Sequence, residues 1–288
     1  MRHVISPERV YAKRKDGDIV VVDCRFALGQ PQAGFDAYIA EHIPGAVYLD
    51  LERDLSAPKR EDGAGGRHPL PDVHALTDTL TSIGVTNKTT VVAYDDQGGA
   101  MASRLWWLLM YMGHDAAFVM DGGFSAWKQA GYPTVSGAEE ARRPANAEER
   151  FVPNVRTEWV ATADDILRKR DAIASGRVVL VDSREDARYR GLSEPIDKVA
   201  GHIPGAKHWF WKASLDAEGR FRPVKEQMKR FEPLQSAEEI IVYCGSGVTA
   251  CPNVLALREA GFTNVKLYAG SWSDWISDAS RPIATGEK

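Results

Sequence analysis

Short apolar runs recur along the chain, each stopped by Gly, Asp or Asn: IVVV, VVAY and AAFVM in the first half, VVLV, IIVY and VKLY in the second. Runs this short and continuously apolar suit strands covered on both faces. Between them lie longer segments with helical spacing, such as Arg104 to Met112 and Val254 to Ala260. The alternation predicts an α/β fold with parallel sheets covered by helices on both faces.

The pattern also repeats. HIPGA occurs at His42 to Ala46 and again at His202 to Ala206, an offset of 160 residues. VVDCR (Val21 to Arg25) matches LVDSR (Leu180 to Arg184), VVAYDDQGG matches IIVYCGSGV, and DGGFSAW (Asp121 to Trp127) matches AGSWSDW (Ala269 to Trp275). Four blocks in the same order predict two copies of one domain. We place them at residues 1–136 and 155–288, joined by a charged, Pro- and Ala-rich surface linker over 137–154.

Composition adds little beyond exclusions. With 44% apolar and 26% charged residues, net charge −4 and pI near 6.0, nothing global points to nucleic acid or an anionic membrane. The N-terminal segment has no apolar signal region and no run approaches membrane-span length, so the expected location is cytoplasmic. Cys24, Cys244 and Cys251 are too few for a disulfide framework and show no zinc-ligand spacing, so neither metal nor cofactor is expected.

The two copies act as controls for each other. What both keep reads as scaffold: His42 and His202 in the HIPGA turn, and the Asp23/Arg25 and Asp182/Arg184 pairs as loop-bracing ion pairs. What differs is a candidate for chemistry. Cys244 faces Asp95 in the first copy, Arg188 faces Gly29, and His68 in GRHPLP faces Phe221 in GRFRPV. One active centre is therefore expected, in the second copy, with His68 supplied from the first half across a cleft.

A cysteine is a nucleophile as thiolate, and a helix N-terminus or nearby cations pull its pKa below roughly 8.5. A helix over Val248 to Ala260, with Pro252 in its first turn and Gly261 as its stop, would aim its free N–H groups at Cys244. Gly245 and Gly247 would let the intervening backbone curl into an anion nest. The bland reading of Cys244, a buried packing residue at a strand end, leaves that Gly-Ser-Gly loop unexplained. Cys24 and Cys251 do read as packing, with a minor redox role open to Cys251.

Two HIPGA copies and CGSGVTA, Cys244 to Ala250, resemble tandem rhodanese-like domains with an inactive first copy, and most nearly the 3-mercaptopyruvate sulfurtransferases. The resemblance implies attack of Cys244 on the sulfur of mercaptopyruvate, a cysteine persulfide and released pyruvate. Thioredoxin, a small thiol or cyanide would then take the sulfur. It implies that Arg188 grips the substrate carboxylate, that Gly245, Gly247, Val248 and Thr249 line the substrate loop, and that Ser246, His68 and Glu52 form a relay. Thiosulfate-using rhodaneses resemble CRKGVTA at this loop, whereas Gly245 and Ser246 are neutral, which favours mercaptopyruvate. Two departures keep thiosulfate open as the alternative donor: Lys198 would replace a second arginine of the family as a point charge, and Arg67 adds a cation beside His68.

Rival classes fit less well. A rhodanese-like phosphatase needs Arg where Ala250 stands, and a serine-hydrolase elbow needs Gly where Cys244 stands. A non-enzymatic sulfur carrier or binding module would suit the first copy better than the second. The chain is expected to act as a monomer.

Overall fold

The computed structural model describes residues 2–14, 19–139 and 149–286. It contains two compact units. The first comprises Met1–Ala57, Pro71–Arg156 and Ala217–Phe221, and the second Pro58–Leu70, Thr157–Asp216 and Arg222–Lys288.

The first unit is built on strands β1 (Val4–Ile5), β2 (Ile19–Asp23), β3 (Ala46–Tyr48), β4 (Thr90–Tyr94) and β5 (Ala117–Met120), in the spatial order β1-β5-β4-β2-β3. The second uses β6 (Val160–Ala161), β7 (Val178–Asp182), β8 (Lys207–His208), β9 (Glu239–Tyr243) and β10 (Val265–Tyr268), in the order β6-β10-β9-β7-β8. Every pairing is parallel, and the central registers correspond: Val21 pairs with Val92 as Leu180 pairs with Ile241. Both central strands are buried along almost their whole length, which is why they read as uninterrupted apolar runs. The predicted α/β class and the duplication are therefore what the chain folds into.

Each HIPGA turn is fixed identically. His42 Nδ1 lies 2.7 Å from the Tyr38 carbonyl and its ring stacks on Tyr38 at 4.0 Å; His202 Nδ1 lies 2.8 Å from the Tyr189 carbonyl and stacks on Tyr189 at 4.0 Å. Arg25 and Arg184 each pair with the aspartate two residues earlier at 2.6 Å and donate to a backbone carbonyl of the helix-to-HIPGA segment, Glu41 or Gly201. These buried pairs brace each turn against the end of a central strand. Removing one partner would leave the other charge buried, a loss of about 3–5 kcal/mol.

Of the expected linker over 137–154, residues 140–148 lie outside the described residues. The residues that follow hydrogen-bond within the first unit, with Asn154 N–H donating to Met112 O and Arg156 N–H to Tyr111 O.

Candidate active site

Cys244 follows the C-terminal end of the central strand β9, where the chain turns through residues 244–250 before the helix Cys251–Glu259. That helix starts three residues later than the expected Val248, because residues 245–250 form the curled loop itself. Gly247 makes the curl possible. Its φ is +74°, and a Cβ there would sit 2.1 Å from the carbonyl oxygen of Ala269.

The loop is pinned from below by the GSW block. Cys244 N–H donates to Ser271 Oγ (3.1 Å), while Trp272 N–H and Ser273 N–H donate to the carbonyls of Cys244 (3.0 Å) and Gly245 (2.9 Å). Ser271 is the one non-glycine residue with positive φ (56°) among the described residues, and its hydroxyl donates to Tyr268 O. In the first unit the equivalent position is Gly123, also at φ 56°, with Phe124 N–H donating to Asp95 O as Trp272 does to Cys244 O. Ser271 was missed from sequence, although the aligned blocks DGGFSAW and AGSWSDW set serine against glycine there.

Asp95 displays what this loop is made to hold. Its fully buried carboxylate accepts four backbone N–H bonds, from Gln97, Gly99, Met101 and Ala102, at 2.8–3.0 Å. Burial pushes its pKa up and the four amides oppose that. In the second unit the Cys244 side chain replaces the carboxylate. The backbone N–H groups of Ser246, Val248, Thr249 and Ala250 there donate to no acceptor among the described residues, though Ser246, Val248 and Ala250 are buried. Amides left without acceptors in the loop that, in the first unit, wraps a carboxylate are suited to hold an anion.

Ser246 and His68 come together although 178 residues separate them: His68 Nδ1 lies 2.8 Å from Ser246 Oγ, and both residues are buried. The expectation of a side chain supplied from the first unit is corrected here, since residues 58–70 pack as part of the second unit. Gly65 N–H donates to Asp274 Oδ1 (2.8 Å) and Arg67 N–H to Ser273 Oγ (2.9 Å), and a Cβ on Gly66 would lie 2.3 Å from Gly270 O. The glycines let this segment lie flat on the turn that also pins Cys244.

Two guanidinium groups flank the loop. A Cβ on Gly245 would lie 3.1 Å from Arg67 Nη2 and 3.3 Å from Arg188 Nη2, so the absence of a side chain at 245 is what admits both. Asp197 joins them, accepting from Arg67 Nη1 and, at 2.9 Å, from Arg188 Nη2. Glu194 accepts from Arg188 Nε at 2.9 Å and lies 3.4 Å from Arg184 Nη1. Lys198, expected as a point charge of the substrate site, is exposed. Its neighbour Asp197 turns inward because two cations meet its carboxylate there, so the charge this segment adds to the site is negative. Sequence reasoning missed Asp197 because an acid is the opposite of what the departure from the family suggested.

Of the remaining candidates, Val248 is buried, Thr249 is half-buried, and Glu52 lies in the first unit, exposed, with its N–H donating to Asp50 Oδ1. Cys251 is buried and its thiol donates to Gly247 O at 3.3 Å, while burial and Asp23 push the Cys24 thiol well up. Among the described residues no helix is long and apolar enough to cross a membrane, and no group of three or more His, Cys, Asp or Glu side chains could hold a metal.

The rhodanese-like domain family matches residues 6–130 and 167–278. A Pseudomonas aeruginosa protein named "Probable 3-mercaptopyruvate sulfurtransferase" is 43% identical over 99% of this chain and 98% of its own length. The Arabidopsis thaliana "Thiosulfate/3-mercaptopyruvate sulfurtransferase 2" is 31% identical over 97% of this chain and 86% of its own. The solved structure of 3-mercaptopyruvate sulfurtransferase from Leishmania major superposes with a TM-score of 0.82 at 30% identity, covering 98% of this chain and 75% of that one. With both halves matched in order and with the loop geometry above, the chain belongs to the rhodanese family, as two tandem rhodanese-like domains.

Proposed function

We propose that the chain is a sulfurtransferase that moves sulfane sulfur from 3-mercaptopyruvate through a Cys244 persulfide to a thiol or cyanide, releasing pyruvate. The observation that supports this reading is the set of unpartnered backbone amides of Ser246, Val248, Thr249 and Ala250 in the loop that follows Cys244, together with the Ser246–His68 hydrogen bond. The names of the relatives given above point to the same chemistry.

In the loading step the Cys244 thiolate attacks the donor sulfur. An S–S bond forms, the C–S bond breaks, and its electron pair leaves on carbon as the enolate of pyruvate. The proton lost as the persulfide ionises returns to that enolate. Ser246, hydrogen-bonded to His68, would carry it or donate to the developing enolate oxygen. Arg188 and Arg67 would hold the carboxylate, with planar donors suited to it. The persulfide anion then rests in the amide cradle. In the discharge step the acceptor attacks the outer sulfur and Cys244 leaves as thiolate. Cyanide yields thiocyanate; a thiol yields a new persulfide, which a second thiol, free or on a thioredoxin, resolves to disulfide and sulfide.

The first unit serves this reading as an inactive copy, its cradle filled by Asp95. The proposed working unit is a monomer, since Cys244, Ser246, His68, Arg67 and Arg188 all lie in one compact unit of a single chain. Thiosulfate remains the second reading for the donor, on the strength of the paired guanidinium groups at Gly245. The test is kcat/KM for each donor with cyanide as acceptor, beside Cys244→Ser. Mercaptopyruvate should be preferred and Cys244→Ser should abolish transfer; retained transfer in that variant would overturn the persulfide route.

A further inference from the structure

Asp197 stands out because nothing in the mechanism calls for an acid at an anion-binding site. Its side chain is 5% exposed, and its two carboxylate oxygens reach Arg67 on one side and Arg188 on the other. Arg67 and Arg188 are the two cations whose guanidinium groups crowd Gly245. Behind them, Glu194 engages Arg188 and Arg184, and Arg184 is already paired with Asp182. Three arginines therefore face three carboxylates, and 3 − 3 leaves no net charge.

We infer that Asp197 is a specificity-determining residue: by tying Arg67 to Arg188 and cancelling one of their charges, it sets the site to prefer a singly charged α-keto carboxylate over doubly charged thiosulfate. The inference rests on the reading under Proposed function and names the residue that sets its donor choice. The physical argument is one of differences. Both donors need a guanidinium, but the dianion gains twice as much from each added positive charge and also costs more to desolvate. An uncompensated Arg67–Arg188 pair would offset that cost. A pair bridged by a buried carboxylate offsets little of it, while leaving Arg188 in position to fork a single carboxylate. Asp197 acts through the two arginines and is a positioning residue, not a catalytic one.

The test compares donors in Asp197→Asn and Asp197→Glu against the unmodified chain. The asparagine keeps shape and part of the hydrogen bonding but removes the charge. The ratio of kcat/KM for thiosulfate to that for mercaptopyruvate should rise at least about tenfold in Asp197→Asn, with KM for thiosulfate becoming steeply salt-dependent, and should return towards the original value in Asp197→Glu. Where thiosulfate turns over too slowly, its inhibition constant against mercaptopyruvate replaces kcat/KM. A merely structural role would lower both donors together and leave the ratio alone, and that result would overturn the inference. If the asparagine variant does not fold, a salt series on the unmodified chain decides: similar, shallow salt dependence for both donors supports a neutral site, and a much steeper one for thiosulfate overturns it. An unmodified chain that transfers sulfur from neither donor would instead overturn the functional reading itself.

Discussion

His68 Nδ1 and Ser246 Oγ meet at 2.8 Å across 178 residues of chain, and the meeting is arranged by the flat seating of Gly65 and Gly66 on the Gly270–Asp274 turn. The same turn pins Cys244 through Ser271 and Trp272, so Cys244 and the Ser246–His68 pair share one support.

If Ser246 and His68 act as one unit, Ser246→Ala and His68→Gln should each slow persulfide loading from mercaptopyruvate by about 10²-fold, and the double variant should be no worse than either. Discharge of a preformed persulfide to cyanide needs no enolate protonation and should change little. Single-turnover kinetics separate the two steps. Additive losses, or equal slowing of both steps, would argue that the pair only shapes the loop.

Asp95 should be a stability residue with no share in turnover. Asp95→Ala strips the acceptor from four buried amides in the first unit, and we expect a loss of about 3 kcal/mol with the kcat of the second unit unchanged. Thermal unfolding beside steady-state kinetics checks both halves of the statement.

The acid limb of stability should carry a contribution from His114. Its ring is buried in the first unit, edge-on to Phe151 at 5.7 Å, and burial holds its pKa below the ordinary value. The unfolded chain, titrating this group near about 6.5, then binds more protons than the folded one as pH drops. Stability from the neutral ring is thus present above about 6.5 and is lost as pH falls towards the folded pKa. His114→Gln should flatten the fall of Tm between pH 7 and pH 5, a range chosen around that value (about 6.5).

How much of this was written in the sequence depends on the range of the interaction. The central strands were legible because burial on both faces leaves them uninterrupted by polar residues, as in IIVY before Cys244. The strands Ala46–Tyr48 and Lys207–His208 were not, being short edge pieces that exist only because HIPGA turns them back onto the sheet. Cys244, Arg188 and His68 were singled out because the two copies differ there, and Ser246 because its loop resembles that of the family. Asp197 was not, because an aspartate two residues past a Pro carries no local signal: its burial is decided by Arg67, 130 residues earlier in the chain.

Ser271 offers the sharpest test of how the cradle is held, because two opposing effects meet in one residue. Its φ of 56° costs a non-glycine residue about 1 kcal/mol, a strain absent at Gly123 in the other copy. In return its hydroxyl accepts the buried N–H of Cys244 at 3.1 Å, a bond whose loss costs about 1–3 kcal/mol. Ser271→Gly removes the bond and the strain together, whereas Ser271→Ala removes the bond and keeps the strain. Stability should therefore fall in the order Ser, Gly, Ala, with the alanine variant lower than the glycine by about 1 kcal/mol in denaturant titration. Both variants should lose sulfur transfer by a similar factor, since each frees the Cys244 amide. An alanine variant as stable as the glycine one would show that the left-handed backbone at 271 is not strained, and unchanged turnover in both would show that the Ser271 bond does not position Cys244.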